Sequence, residues 1–237
     1  MQPLSTVDLP SLWERGSGLH PLDQGLLALS EAMPEVLPEK LADWPLGQRN
    51  RALIELYCLW FGSRFEAWTG CAHCGDKMEF AIDGRELISQ QRQEQLDADG
   101  TITVKKQKFR LPSSFDLAEV IQKGDYTSAM AHIVARCRLD TDGCPAYSRE
   151  ELDEIEDQMA RADPLAEIRI ALRCPSCGRE WDESFDVSGF LWAKICARAK
   201  RLLWETHILA SAYGWAEKEI LSMSDARRAT YLELVQA

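Results

Sequence analysis

Cys71-Ala72-His73-Cys74-Gly75-Asp76-Lys77-Met78-Glu79-Phe80 and Cys174-Pro175-Ser176-Cys177-Gly178-Arg179-Glu180-Trp181-Asp182-Glu183 are two copies of one device. Each reads C-x-x-C, then glycine, then an alternating strand. A tight turn of this kind lets two thiolates reach one metal at about 2.3 Å, and glycine lets the backbone curl through positive φ. Two such knuckles supply four sulfurs, the complete tetrahedral shell of a structural zinc ion. That shell keeps no open position, so it staples a fold and does no chemistry. Cys71, Cys74, Cys174 and Cys177 are therefore the candidate ligands of one structural Zn2+.

The spacer between the pairs is far longer than in a compact zinc ribbon. The flanks are nevertheless alike, with Phe65 to Trp68 before one knuckle and Ile168 to Leu172 before the other. The sequence thus predicts a split ribbon whose two hairpins are parted by an insertion. A redox C-x-x-C would instead open a helix after a strand, and here glycine and a strand follow. His73 stands between two ligands but at a position that turns outward, so it is expected to face solvent. Cys137 and Cys144 flank Asp142-Gly143 with His132 alone nearby and are expected to be reduced thiols; Cys58 and Cys196 lie in apolar helical runs and read as packed thiols.

Working outward, the chain divides into five stretches, and the fold class is α+β, mainly helical. Residues 1–62 form an N-terminal helical region, with apolar positions Leu26, Leu27, Leu29 and Met33 after Pro21 and a dense apolar helix from Pro45 to a stop at Gly62. Residues 63–84 carry the first knuckle. The stretch 85–163 is an insertion: a polar connector, short runs Thr101–Val104 and Lys108–Leu111 after Asp99-Gly100, then helices, one opened by a Ser148/Glu151 capping box. The second knuckle occupies 164–188. The C-terminal helical region, 189–237, opens with a helix over 189–213, on which Trp192, Ile195, Ala199, Leu202, Thr206, Leu209 and Tyr213 share one face. Such a helix is about 37 Å long. Gly214 ends it, and a terminal helix follows from Ser224 to Val235.

Charge and composition exclude several classes. The 237 residues are 46% hydrophobic and 27% charged, with a formal net charge of −11. A nucleic-acid duplex or an anionic membrane would repel that field, so neither is an expected partner. A zinc-ribbon regulator that binds nucleic acid would want a basic face, which leaves that reading the weaker alternative. The opening Met1-Gln2-Pro3-Leu4-Ser5 has no basic stretch and no long apolar run. Eight cysteines without an export signal then predict a reducing, cytoplasmic setting. No phosphate-binding loop, dinucleotide fingerprint, nucleophile elbow or H-E-x-x-H helix occurs, so neither an enzymatic activity nor a small-molecule substrate is expected. Glu150 and Glu151 belong to a heavily charged face and read as solvated. Trp192, Trp204 and Trp215 lack surrounding basic charge and read as core or interface anchors.

The C-terminal third carries a resemblance. Leu203-Trp204-Glu205-Thr206-His207-Ile208-Leu209-Ala210-Ser211-Ala212-Tyr213-Gly214-Trp215 continues into Glu219-Ile220-Leu221-Ser222-Met223-Ser224 and closes with Arg227-Arg228-Ala229-Thr230-Tyr231-Leu232-Glu233-Leu234-Val235. Taken together these resemble the tail of the T-even-type phage baseplate hub assembly family, whose relatives occur in contractile injection systems. Leu12-Trp13-Glu14-Arg15-Gly16 and Pro45-Leu46-Gly47-Gln48-Arg49-Asn50 are similar to members from injection-system clusters, which carry two C-x-x-C knuckles in the same order. Shorter phage members lack the cysteines, so the metal rests on the residues of this chain.

The resemblance implies a protein of the baseplate hub without a reaction of its own. It would aid assembly of the central hub and spike as a chaperone does, or remain as a minor structural subunit. It would act in the cytoplasm of the producing bacterial cell or be carried in the particle. Tyr213-Gly214-Trp215 then reads as a hinge, with Tyr and Trp docked across a left-handed glycine. The expected partner surface is an exposed apolar patch of Trp215, Ile220 and Leu221, rimmed by Arg227 and Arg228.

Overall fold

The computed structural model describes residues 1–90, 96–97, 99–121, 126–140 and 147–236. Cys144 and most of the polar connector after 90 lie outside them. The first helices are α1 (Leu9–Gly16), α2 (Pro21–Ala32), α3 (Pro38–Asp43) and α4 (Leu46–Phe61). A hairpin, β1 (Arg64–Gly70) and β2 (Lys77–Asp83), leads into α5 (Gly84–Gln90). Next come β3 (Thr101–Val104), β4 (Gln107–Arg110), α6 (Ser114–Val120), α7 (Tyr126–Cys137) and α8 (Arg149–Ala162). A third hairpin, β5 (Arg169–Arg173) and β6 (Glu180–Ser184), precedes α9 (Val187–Tyr213), α10 (Glu217–Leu221) and α11 (Asp225–Gln236). The described chain is mainly helical, with three separate antiparallel two-stranded sheets.

The main core forms where α9 lies across α1, α2 and α4. Leu191, Ile195, Ala199 and Leu202 step by three or four residues along α9 and are fully buried. Burying each larger aliphatic side chain contributes about 1.5–3 kcal/mol. The dense apolar run of α4 supplies Leu53, Ile54, Leu56 and Tyr57 to the same core. Pro45 sits one place before the helix, as an extended N-cap bridged to Ser113, and not inside the first turn.

Residues 102–162 build a second, smaller core. Ile102, Val104 and Phe109 from the β3–β4 hairpin meet Val134 and Cys137 of α7 and Leu152, Ile155 and Met159 of α8. Both halves of the Ser148/Glu151 capping box are present, with Ser148 N–H donating to Glu151 at 2.9 Å and Glu151 N–H to Ser148 at 3.3 Å. The hairpin reverses at Lys105 and Lys106, both with positive φ, where turns of this kind favour Asn or Gly. The Asp99-Gly100 signal lies before the first strand, so sequence gave no cue to this reversal.

The second core is fastened to the N-terminus of α4. Leu46 N–H donates to Pro112 O at 2.9 Å, and Gly47 N–H donates to Asp163 Oδ2 at 2.8 Å. Arg49 Nη1 donates to Ser114 Oγ at 3.1 Å, and Asn50 Nδ2 donates to Leu165 O at 2.7 Å. All of these satisfy groups that would otherwise be buried without partners. They also account for the two polar residues of α4 that are buried, Arg49 and Asn50.

A third cluster joins Leu209, Ile220 and Leu232 at the far end of α9. Gly214 ends that helix in the left-handed conformation, with φ 70° and ψ 16°. Tyr213 and Trp215 stack across the bend with ring centroids 4.5 Å apart.

Candidate metal centre

The two cysteine hairpins stand on one aromatic footing. Phe65 of β1 is fully buried, stacks on Tyr57 at 3.8 Å and meets Phe185, which follows β6, at 5.3 Å. Ile168, just before β5, is buried in the same core. From Phe65 to Cys71, and from Ile168 to Cys174, each ascending arm rises by six residue steps. At about 3.3 Å per residue these arms reach the same height, about 20 Å above the core. Equal arms from a shared base bring the two turns together.

The turns themselves are near copies. Cys71 N–H donates to Asp76 O at 2.8 Å, and Gly75 N–H to Cys71 O at 2.8 Å. In the second knuckle Cys174 N–H donates to Arg179 O at 2.8 Å, and Gly178 N–H to Cys174 O at 2.9 Å. Gly75 and Gly178 take φ of 74° and 73°, the conformation that the fourth step of the turn demands. Ser176 of one knuckle hydrogen-bonds Asp76 of the other, and Thr69 Oγ1 donates to Glu183 Oε2 at 3.2 Å, so the hairpins also touch through side chains.

Four sulfurs meet there. The Sγ atoms of Cys71, Cys74, Cys174 and Cys177 all lie within 4.8 Å of one another. Across the knuckles Cys71 and Cys177 are 3.8 Å apart, and Cys74 and Cys174 are 3.6 Å apart. A tetrahedron with metal–sulfur bonds of about 2.3 Å has edges of about 3.8 Å, so the four groups fit a single ion. Cys71 and Cys174 are buried, whereas Cys74 and Cys177 face solvent.

The electrostatics fit the same shell. Backbone amides of Cys74 and His73 donate to the Cys71 sulfur and lower its pKa to about 6. At Cys74 the Asp76 amide pulls downward, but hydrogen bonding among the neighbouring thiols, with partial desolvation, outweighs it and raises the group to about 12. Four thiols crowded together resist holding several negative charges without a cation among them. His73 is exposed and outside the cluster. Cys137 is buried, Cys58 and Cys196 pack against the main core, and no disulfide joins the described cysteines.

The expected partner patch is corrected by the structure. Ile220 and Leu221 are buried, because α10 folds back on α9 and packs Ile220 against Leu209 and Leu232. Arg228 is also buried: its Nε meets Glu205 Oε2 at 2.9 Å, and its other nitrogens bind Met223 O and Asp225. It is a tie between α11 and α9, not a rim residue. Trp215 is half-buried, edge-on to Tyr231 at 4.8 Å. Arg227 remains exposed with its guanidinium 5.6 Å from the Tyr231 ring centre. A signal for the buried pair was present: Glu205 stands beside Thr206 on the face of Leu202 and Leu209, and a carboxylate on an apolar face calls for a cation.

The large apolar groups left exposed at this end are Trp204, Tyr213, Leu234 and Val235. No described helix is long and apolar enough to cross a membrane. Comparison with protein-family models, with curated proteins and with solved structures finds no match for this chain.

Proposed function

We propose that this chain is a zinc-stapled protein of the baseplate of a contractile phage tail or injection system, which aids assembly of the central hub and spike without catalysing a reaction. The observation that carries the metal half of the reading is the set of four cysteine sulfurs at tetrahedral spacing, two from each turn. Zinc suits it because a closed all-sulfur shell holds that ion without redox chemistry. Bound there, the ion would tie two hairpins that share no backbone pairing. The split ribbon so formed would be a rigid platform on the helical body.

The assembly half rests on the resemblance of residues 203–235. It is supported by the small unit those residues build around Leu209, Ile220 and Leu232, which leaves Trp204 about half exposed and Leu234 more so. Tryptophan that remains accessible beside a folded unit is a common interface anchor. The test is affinity purification of the tagged protein from producing cells, compared with mature particles. Hub or spike proteins should co-purify before assembly, with the chain absent from finished particles. A fixed stoichiometry in finished particles would make it a permanent subunit instead. Recovery with neither would end the baseplate reading.

A further inference from the structure

Away from the cysteines, a cleft of about 560 Å³ opens between the N-terminus of α4, helices α6 to α8 and the segment after α8. That size suits a bound side chain or small ligand, since such pockets span about 300–1,000 Å³. Its lining includes Leu46, Met130, Ile133 and Met159, an apolar set with two adaptable thioethers. Carboxylates complete it: Glu156, Asp157 and Glu167 line it together with the buried Asp163. Arg169, the basic residue among the lining groups, is already engaged by Glu167 at 2.8 Å.

The acidic character extends beyond the cleft along one ridge. Glu150, Asp153 and Asp157 are exposed on α8 at steps of three and four residues, which stacks them on one face. The next step of three is Ala160, an exposed residue of the cleft lining. From Glu150 to Ala160 the ridge runs about 15 Å, longer than a small amine could follow. An apolar hole at the end of a carboxylate track is complementary to a basic segment with one apolar anchor.

We infer that this cleft docks a partner protein through a leucine-like side chain, with lysines or arginines of the same segment lying along the α8 ridge. The inference rests on the reading of the chain as an interaction protein and adds where and by what chemistry a partner is held. Met130 and Met159 adapt to the anchor, and the ridge selects basic over acidic segments.

The probe is a short fluorescein-labelled peptide with a central leucine among lysines, titrated with the purified full chain. Two control peptides replace leucine by alanine or lysines by glutamates, and n-octylamine serves as competitor. Binding should weaken about tenfold or more for either control peptide. It should weaken similarly for Asp157→Lys and for Ala160→Lys, both at exposed positions that leave folding intact by circular dichroism. Glu180→Lys, a matched charge change on β6, should leave it unchanged. Equal binding of the alanine peptide, equal loss in the Glu180→Lys control, insensitivity to both cleft variants, or no binding would each overturn the assignment. Displacement by octylamine at concentrations comparable to the peptide would give the cleft to a small amine and overturn it too. Because the assay needs no particle, it can fail while co-purification with hub proteins succeeds, or the reverse.

Discussion

The Asp163 carboxylate caps α4 from 116 residues away, accepting the Gly47 N–H at 2.8 Å in a buried setting. Gly47 permits this approach: a Cβ there would lie 1.6 Å from Asp163 Oδ1. Gly47→Ala should therefore push the carboxylate off the helix end and cost about 2–3 kcal/mol in urea unfolding. Burial raises the Asp163 pKa against the pull of the Gly47 amide and Arg49. The folded state then holds that proton more tightly, so this group's contribution to stability falls as pH rises from about 4 through the raised value. Asp163→Asn keeps an acceptor without the charge and should lose less than Asp163→Ala. The reverse ranking would refute the cap.

Asp116 gives the opposite pH dependence. It is fully buried, and burial alone would raise its pKa. Arg110 at 2.5 Å, Arg136 at 2.8 Å and the Ser113 N–H at 2.9 Å overcome that and hold it well below the usual carboxylate range. A depressed carboxylate contributes stability above its unfolded pKa of about 4 and loses it as pH falls below. Thermal melting followed from pH 7 to pH 2 should show this fall in the wild type and a shallower one in Asp116→Asn. At pH 7 that variant should cost about 2–3 kcal/mol, less than for a wholly buried pair because both guanidiniums reach solvent.

Metal analysis should find about one zinc per chain, with X-ray absorption reporting four sulfurs at about 2.3 Å. Two-stranded hairpins are marginal on their own, whereas Phe65 and Phe185 are anchored by the main core. Chelation or Cys174→Ser should therefore raise hydrogen exchange sharply over residues 66–82 and 169–184 while α4 and α9 stay protected. Cysteines recovered as disulfides without metal would defeat the zinc assignment.

The knuckles were readable because everything they need is local: two cysteines, a glycine and an alternating strand within ten residues. Their convergence was readable only through the likeness of their flanks, which the equal arms from Phe65 and Ile168 now explain. The Ser148 cap was local too. Where the sequence misled was the fate of Ile220, Leu221 and Arg228. Their exposure depends on how a five-residue helix turns back after Gly214, a tertiary matter that periodicity does not encode. The Gly47–Asp163 contact was out of reach for the same reason. Glu205 was the one available clue, since its neighbours on the helix face are apolar.

Glu205 and Trp204 are adjacent on α9 but should fail in different ways. Arg228→Ala would leave Glu205 buried with only the exposed Arg201 as partner, at 2.7 Å. It should cost about 3 kcal/mol and release α10 and α11 from the end of α9, visible as lost exchange protection there. Trp204 is 51% exposed, so Trp204→Ala should cost about 1 kcal/mol or less and leave metal content untouched. If the C-terminal unit contacts a hub protein through this face, Trp204→Ala should nonetheless reduce particle yield several-fold at an unchanged melting temperature, because interface tryptophans often contribute about 2 kcal/mol or more. Arg228→Ala should reduce yield only together with stability. Normal particle yield from Trp204→Ala, with the protein present at wild-type level, would remove this face from consideration and leave the α8 cleft as the surface to test.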